Sequence, residues 1–291
     1  MRNKGVSSEG FMICQDCGAA VAGDSPDLFR KTGKRDTVGC PYRSRFRQSR
    51  CNHSDAMNCS LGFDFVTDML VLELALDSSR VCTDLAEPWL NRASRSLAEV
   101  LRLQASVLLD VEITEINAGY RVRKNGDEVC VDIYLYDSLS SGAGYSSGIA
   151  PRIGELLQGA SDFLCKCNCS NACHKCIKHY RNSFYHHDLD RHAALELLAW
   201  IKNGEITVSI PVKQQQEMLR PLLNILNDYE IEIVFEEVKT IAVNQRTKKR
   251  YELEVYPSMR NLPIKDGVIY INDFDVNFAR AFAVEAVRNA I

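Results

Sequence analysis

The sequence predicts an α/β protein, a mixed sheet with flanking helices, interrupted by an insertion built around four cysteines and followed by a second, small α/β lobe. Three observations predict it. Strand-like and helix-like apolar spacings alternate along the chain from Gly62 onwards. Residues 1–61 are polar, rich in Gly and Cys, and carry no sustained periodicity, as expected of a small module that needs a staple. Four cysteines then fall within ten residues, from Cys167 to Cys176. The expected divisions are 1–61, a Cys-rich knuckle segment; 62–204, the α/β body with its insertion; and 205–291, a C-terminal α/β lobe.

Phe63 to Leu76 alternates at first and then becomes nearly all apolar, which predicts a strand in a sheet covered on both faces. Glu87 to Leu109 places Trp89, Leu90, Ala93, Leu97, Val100, Leu101 and Leu108 at helical spacing, with Pro88 in the first turn. Two strands follow, Val111–Ile116 with an extension to Arg123 and Val129–Tyr136, joined at Asn125-Gly126, a hairpin signal. A helix over Ile149–Leu164 runs into the cysteines, and another over Leu189–Ile201 leaves them, with Asp188 as its N-cap and Gly204 as its stop. Beyond these the pattern predicts strands at Thr207–Ile210, Ile231–Val238, Tyr251–Tyr256 and Val268–Ile271. It also predicts a helix from Val212 to Asp228 disturbed by Pro221, and a last helix over Val276–Ala290.

At 291 residues the chain can bury a sizeable core without cross-links. Its start lacks the apolar stretch of a signal peptide, and no run of about 18 apolar residues could span a membrane. The expected compartment is therefore the reducing cytoplasm, where the twelve cysteines serve as metal ligands or core residues rather than disulfides. The net charge of -3 says little, but residues 1–62 hold ten Lys/Arg against six Asp/Glu. Most of that excess lies in Arg30–Arg35 and Arg43–Arg50.

Cys167-x-Cys169-x3-Cys173-x2-Cys176 offers four thiolates close enough to surround a Zn2+. Disulfides between neighbours this dense would be strained, whereas a divalent cation stabilises all four thiolates at once, adding on the order of 10 kcal/mol to local folding. A catalytic zinc keeps one coordination position open, so four cysteines point to a structural role. Cys165 is read as spare and buried at the helix end. A second site starts at Cys14-Gln-Asp-Cys17-Gly and must be completed from Cys40, Cys51, His53 or Cys59. Because Cys40-Pro reads as a second knuckle, the expected set is Cys14, Cys17, Cys40 and Cys51.

Tyr136-Asp-Ser-Leu-Ser-Ser-Gly-Ala-Gly-Tyr145, the four-cysteine run, Asn182 and Leu189-Asp-Arg191 carry a resemblance to a known family. They are similar to the zinc-binding domain at the C-terminal end of mitomycin-repair-factor-type (MrfA) helicases. The same domain occurs in helicase-linked components of antiphage systems such as DISARM and Druantia. Ser141 stands where the family has its first glycine, and Ala172 precedes the third cysteine where glycine is usual. The resemblance spans about residues 10–202 and implies a module of a superfamily 2 DNA helicase, or of its partner subunit, acting in DNA repair or antiphage defence. The chain carries no GxxxxGK[ST] phosphate loop, so the ATPase motor is expected in another segment or another chain.

Arg43, Arg45, Arg47 and Arg50 interleave with Tyr42 and Phe46, a composition suited to tracking a nucleic-acid backbone. With Lys175, Lys178 and Arg181 beside the cluster, and Lys166 and His179, they are the expected contacts to DNA, single-stranded or at a junction. The loop Ser141–Gly148 lies between strand and helix, where backbone amides can meet a phosphate, and is expected to be a tight turn of the fold. Two other classes stay open. Tyr185-His-His-Asp-Leu-Asp-Arg-His192 next to cysteines admits a metal-dependent nuclease, and a basic surface admits a pure protein-interaction scaffold. Glu252 and Glu254 read better as one face of a strand than as an acidic site.

Overall fold

The structure is a computed structural model; it describes residues 2–3, 10–15, 20–22, 56–62, 65–85, 87–125 and 128–291. The chain forms two units, Met1–Val66 and Thr67–Ile291. In the first unit, β1 (Arg2–Asn3), β2 (Phe11–Cys14), β3 (Ala20–Ala22), β4 (Ala56–Cys59) and β5 (Leu61–Gly62) make two small antiparallel sheets. β1 pairs with β5, and β2 lies between β3 and β4. Cys14 ends β2 and is buried, and Cys59 on β4 lies opposite Phe11, its thiol 3.5 Å from that residue's carbonyl.

The second unit opens with β6 (Met69–Leu76) and α1 (Pro88–Leu109), followed by the hairpin of β7 (Ile116–Asn125) and β8 (Glu128–Asp137). The sheet order is β6-β8-β7, antiparallel throughout, with Asn125 opposite Glu128 at the hairpin end. β6 is thus an edge strand, shorter than the pattern predicted. Leu70, Leu72 and Leu74 pack on the core, whereas Met69 and Val71 stay exposed, so the expected two-sided cover is not found. Residues 111–115 are not strand either. Asp110 adopts a left-handed conformation that ends α1, and the Glu115 amide turns back to the Glu112 carbonyl at 2.9 Å.

α1 carries the core: Trp89, Leu97, Val100, Leu101 and Ala105 are all buried. It packs on the sheet and on the two helices that flank the cysteines. Of the predicted helix 149–164, α3 (Ile153–Cys165) forms the body; a short 3-10 turn at Pro151 separates it from α2 (Tyr145–Ile149), which the pattern did not predict. α4 runs Arg191–Asn203, and Gly204 in the left-handed region donates its amide to Trp200 at 2.8 Å, as expected of a stop. Its N-cap is Asp190 rather than Asp188: the Asp190 carboxylate accepts from the His192 and Ala193 amides, while Asp188 faces Arg95 and His187.

The rest of the unit builds a second core. α5 (Val212–Leu219) and α6 (Leu223–Asp228) are separated at Pro221, as the sequence indicated. β9 (Ile231–Phe235), β10 (Thr240–Asn244), β11 (Arg250–Tyr256) and β12 (Val268–Asn272) form a sheet of order β12-β11-β10-β9, whose β11–β12 pair is parallel. α7 (Asp273–Phe278) and α8 (Arg280–Ala290) replace the single predicted helix, breaking at Ala279. Residues 207–210 are not a strand. Their carbonyls are met by side chains, Val208 by Arg260 at 2.7 Å and Ile210 by Gln215 at 2.7 Å.

Candidate metal centre

The loop after α3 folds Cys167, Cys169, Cys173 and Cys176 so that their sulfurs lie within 4.8 Å of one another. Individual Sγ–Sγ separations are 3.4 Å for Cys167–Cys169, 3.6 Å for Cys167–Cys173, and 3.8 Å for both Cys169–Cys176 and Cys173–Cys176. A tetrahedral zinc with Zn–S near 2.3 Å requires sulfur–sulfur edges of about 3.8 Å, so the four side chains fit that ion as they stand. Two backbone amides also point at sulfur: Cys173 N to Cys176 Sγ at 3.1 Å and Lys175 N to Cys173 Sγ at 3.4 Å. Such N–H groups neutralise part of the charge of bound thiolates. Cys165, by contrast, stands outside the four and is exposed, not buried as expected.

Left as thiols, the four are unevenly matched. Hydrogen bonds from Cys169 pull Cys167 down to about 7, while burial pushes Cys169 up to about 12 and raises Cys176. A divalent cation removes this conflict by replacing the protons. Among the described residues no other group of three or more His, Cys, Asp or Glu side chains converges in this way.

The sequence around the cluster explains how the loop is held. Leu189 is buried in the core, Asp190 caps α4, and Arg191 turns back over the metal loop. Arg191 Nε donates to the Cys169 carbonyl at 2.8 Å, Nη1 to the Leu164 carbonyl at 3.3 Å, and its amide to the Asn171 carbonyl at 2.7 Å. On the far side Ile177 enters the core and Asn182, also buried, donates Nδ2 to the Ile177 carbonyl at 2.8 Å. The Asn182 Oδ1 in turn accepts from the His179 amide at 2.9 Å. The motif residues Asn182 and Leu189-Asp-Arg191 are therefore braces of the centre.

Of the expected DNA contacts beside it, Lys175 and Arg181 are exposed and Lys178 is half-buried. His179 is turned inward, its Nε2 3.0 Å from Glu99 Oε2 on α1. Arg43, Arg45, Arg47 and Arg50, like Cys17, Cys40, Cys51 and His53, lie outside the described residues. The His run does not gather: His186 Nε2 meets the His179 carbonyl and Asn182 Oδ1, both at 3.0 Å, and His187 and His192 are exposed.

The glycine-rich loop is filled by the chain itself. Asp137 is fully buried and accepts from the amides of Ala143, Tyr145 and Ser146 at 2.7, 3.0 and 2.9 Å, and from Ser146 Oγ at 2.6 Å. Burial alone would raise its carboxyl, but these bonds outweigh it and hold the group below the usual range. A protein carboxylate thus sits where a phosphate was conceivable. Sequence reasoning passed over Asp137, although it stands inside the motif that carried the resemblance.

One comparison with known proteins bears on this geometry. Residues 97–177 match the family model described as the MrfA Zn-binding domain. A relative, Druantia protein DruE of Escherichia coli (strain UMEA 4076-1), is 32% identical over 215 residues; the match covers 70% of this chain but 11% of that protein. Two solved structures of the DUF1998 helicase MrfA are similar to parts of the chain, one bound to DNA and one bound to DNA and AMPPNP. The first has a TM-score of 0.33 at 19% identity, covering 42% of this chain and 16% of that one. The second has a TM-score of 0.30 at 16% identity, covering 44% and 15%. Residues 97–177 of this chain therefore match the MrfA Zn-binding domain, and the four cysteines that converge within them suit the zinc that this domain is described as binding.

Proposed function

We propose that the chain is the zinc-stapled, DNA-handling and scaffolding module of an ATP-dependent superfamily 2 helicase system, acting in antiphage defence or DNA repair in the cytoplasm. The observation that carries this reading is a converging set of four cysteines inside a segment that matches the MrfA Zn-binding domain. The relation to the Druantia protein DruE supports the defence setting.

In this reading Cys167, Cys169, Cys173 and Cys176 hold one Zn2+ and Cys14, Cys17, Cys40 and Cys51 a second. The zinc supplies rigidity rather than a reaction, fixing α3 and α4 and the basic side chains between them. Arg43, Arg45, Arg47, Arg50, Lys175, Lys178 and Arg181 meet DNA phosphates, and the motor is a helicase domain or subunit. Residues 62–204 form the DNA-handling domain, and 205–291 a second lobe.

The test is equilibrium DNA binding by the full chain over a salt series. The expected result is affinity that falls steeply with salt, with a slope reduced when Lys175, Lys178 and Arg181 become Ala. No DNA binding at any salt would sink the DNA-handling reading in favour of a scaffold. Magnesium-dependent nicking that disappears in His187→Ala would replace it with a nuclease.

A further inference from the structure

The segment that follows the metal cluster holds two aromatic rings out in solvent. Tyr180 is 90% exposed and Phe184 is 84% exposed, more than any other aromatic side chain among the described residues. Both belong to the short 3-10 helix Tyr180–Tyr185, whose backbone is fixed from within. Asn182, between them, is buried and bonded to Ile177 and His179, and His186 closes the turn onto the His179 carbonyl. With residue 182 fixed inward, the residues two before and two after it point away from the core. Tyr185 differs, because the Arg95 guanidinium already covers its ring at 4.1 Å.

The surroundings say what such rings would meet. From His174 to His187 the chain carries Lys175, Lys178 and Arg181 and no Asp or Glu. An occupant complementary to this surface has flat apolar faces and negative charge. Paired bases in a duplex are already stacked on one another and offer only phosphates, whereas unpaired nucleotides offer both features. Resting on the DNA-handling reading above, we infer that Tyr180 and Phe184 are stacking platforms for two bases of a single strand, whose phosphates lie against Lys175, Lys178 and Arg181. The zinc centre's contribution to binding is then to hold the turn that keeps the two rings out of the core.

The test uses the full chain and three probes: an oligo-dT strand, an abasic strand of the same length, and a duplex. Wild type is expected to bind oligo-dT more tightly than the abasic strand. Tyr180→Ala and Phe184→Ala should each weaken oligo-dT binding roughly tenfold, and the double variant should bind oligo-dT and the abasic strand alike. Duplex affinity, salt slope and zinc content should not move, and Tyr180→Phe should bind as wild type does, because the ring rather than the hydroxyl is used. Oligo-dT binding unchanged in the double variant but weakened when Lys175, Lys178 and Arg181 become Ala would overturn the stacking inference while leaving DNA handling intact. A double variant that keeps all DNA binding yet loses a helicase subunit would overturn it in favour of a protein-docking patch. Wild type that binds none of the three probes would remove the DNA-handling reading itself, and the inference with it.

Discussion

Arg191 ties the metal loop to α4 through the carbonyls of Cys169 and Leu164 with two arms of one planar fork. Arg191→Ala should therefore cost roughly 2–3 kcal/mol in urea unfolding, because the carbonyls are left short of partners in a buried place. It should also speed zinc loss to a chelator followed by a colorimetric indicator. Arg191→Lys should recover little, since a single ammonium cannot reach both acceptors in the same geometry. At the cysteines, Cys173→Ser should lower the zinc content of purified protein by about one ion per chain and destabilise the domain by several kcal/mol. Elemental analysis and thermal unfolding check both. Zinc requires thiolates, so the wild-type centre should release metal as pH falls, never as it rises towards neutrality.

Asp137 decides the turn from β8 into α2. Three amides and a hydroxyl converge on its carboxylate, and Asp137→Ala would strand these donors, those of Ser146 buried and the other two partly so, at a cost of about 3 kcal/mol. Because its bonds hold the carboxyl below 3.8, the stability it contributes is present above that pH and lost as pH falls further. A pH series of urea midpoints for wild type and variant should therefore converge in acid. The same scale shows where spacing misled. α1 was legible because its apolar stripe is long and Pro88 marks its start. β10 was missed because its hairpin with β9 turns at Glu236–Lys239, where the Glu236 amide meets the Lys239 carbonyl at 3.0 Å without any Gly, Pro or Asn to signal it. The N-cap of α4 was misplaced by two residues, since Asp188 and Asp190 are equal candidates until the Ser96 hydroxyl accepts the Asp190 amide at 2.8 Å.

Across the unit Thr67–Ile291, two apolar cores lie side by side, one around α1 and one around β9–β12. Where the elements of both meet there is a cavity of about 420 Å³ lined in part by Arg92, Asp190, Glu196 and Asp273. Burial, reinforced by the charges of Asp273 and Asp190, pushes the Glu196 carboxyl up to about 8. A carboxyl raised on folding binds its proton more tightly in the native state, so its effect on stability is unfavourable once the proton must leave. Stability should fall as pH rises from about 4.5 towards about 8, and Glu196→Gln should flatten that slope in a pH series of thermal unfolding.

The sequence by itself determined the four-cysteine zinc site and the helices around it. Metal ligation at this spacing is local, and α1 and α4 announce themselves by periodicity. Only the tertiary structure decided which neighbours brace that site. The edge position of β6, the inward turn of His179 towards Glu99 and the clamp of Arg191 depend on partners further along the chain. Residue type and spacing state what a side chain can do, whereas burial and pairing, set by distant segments, state which of those things it does.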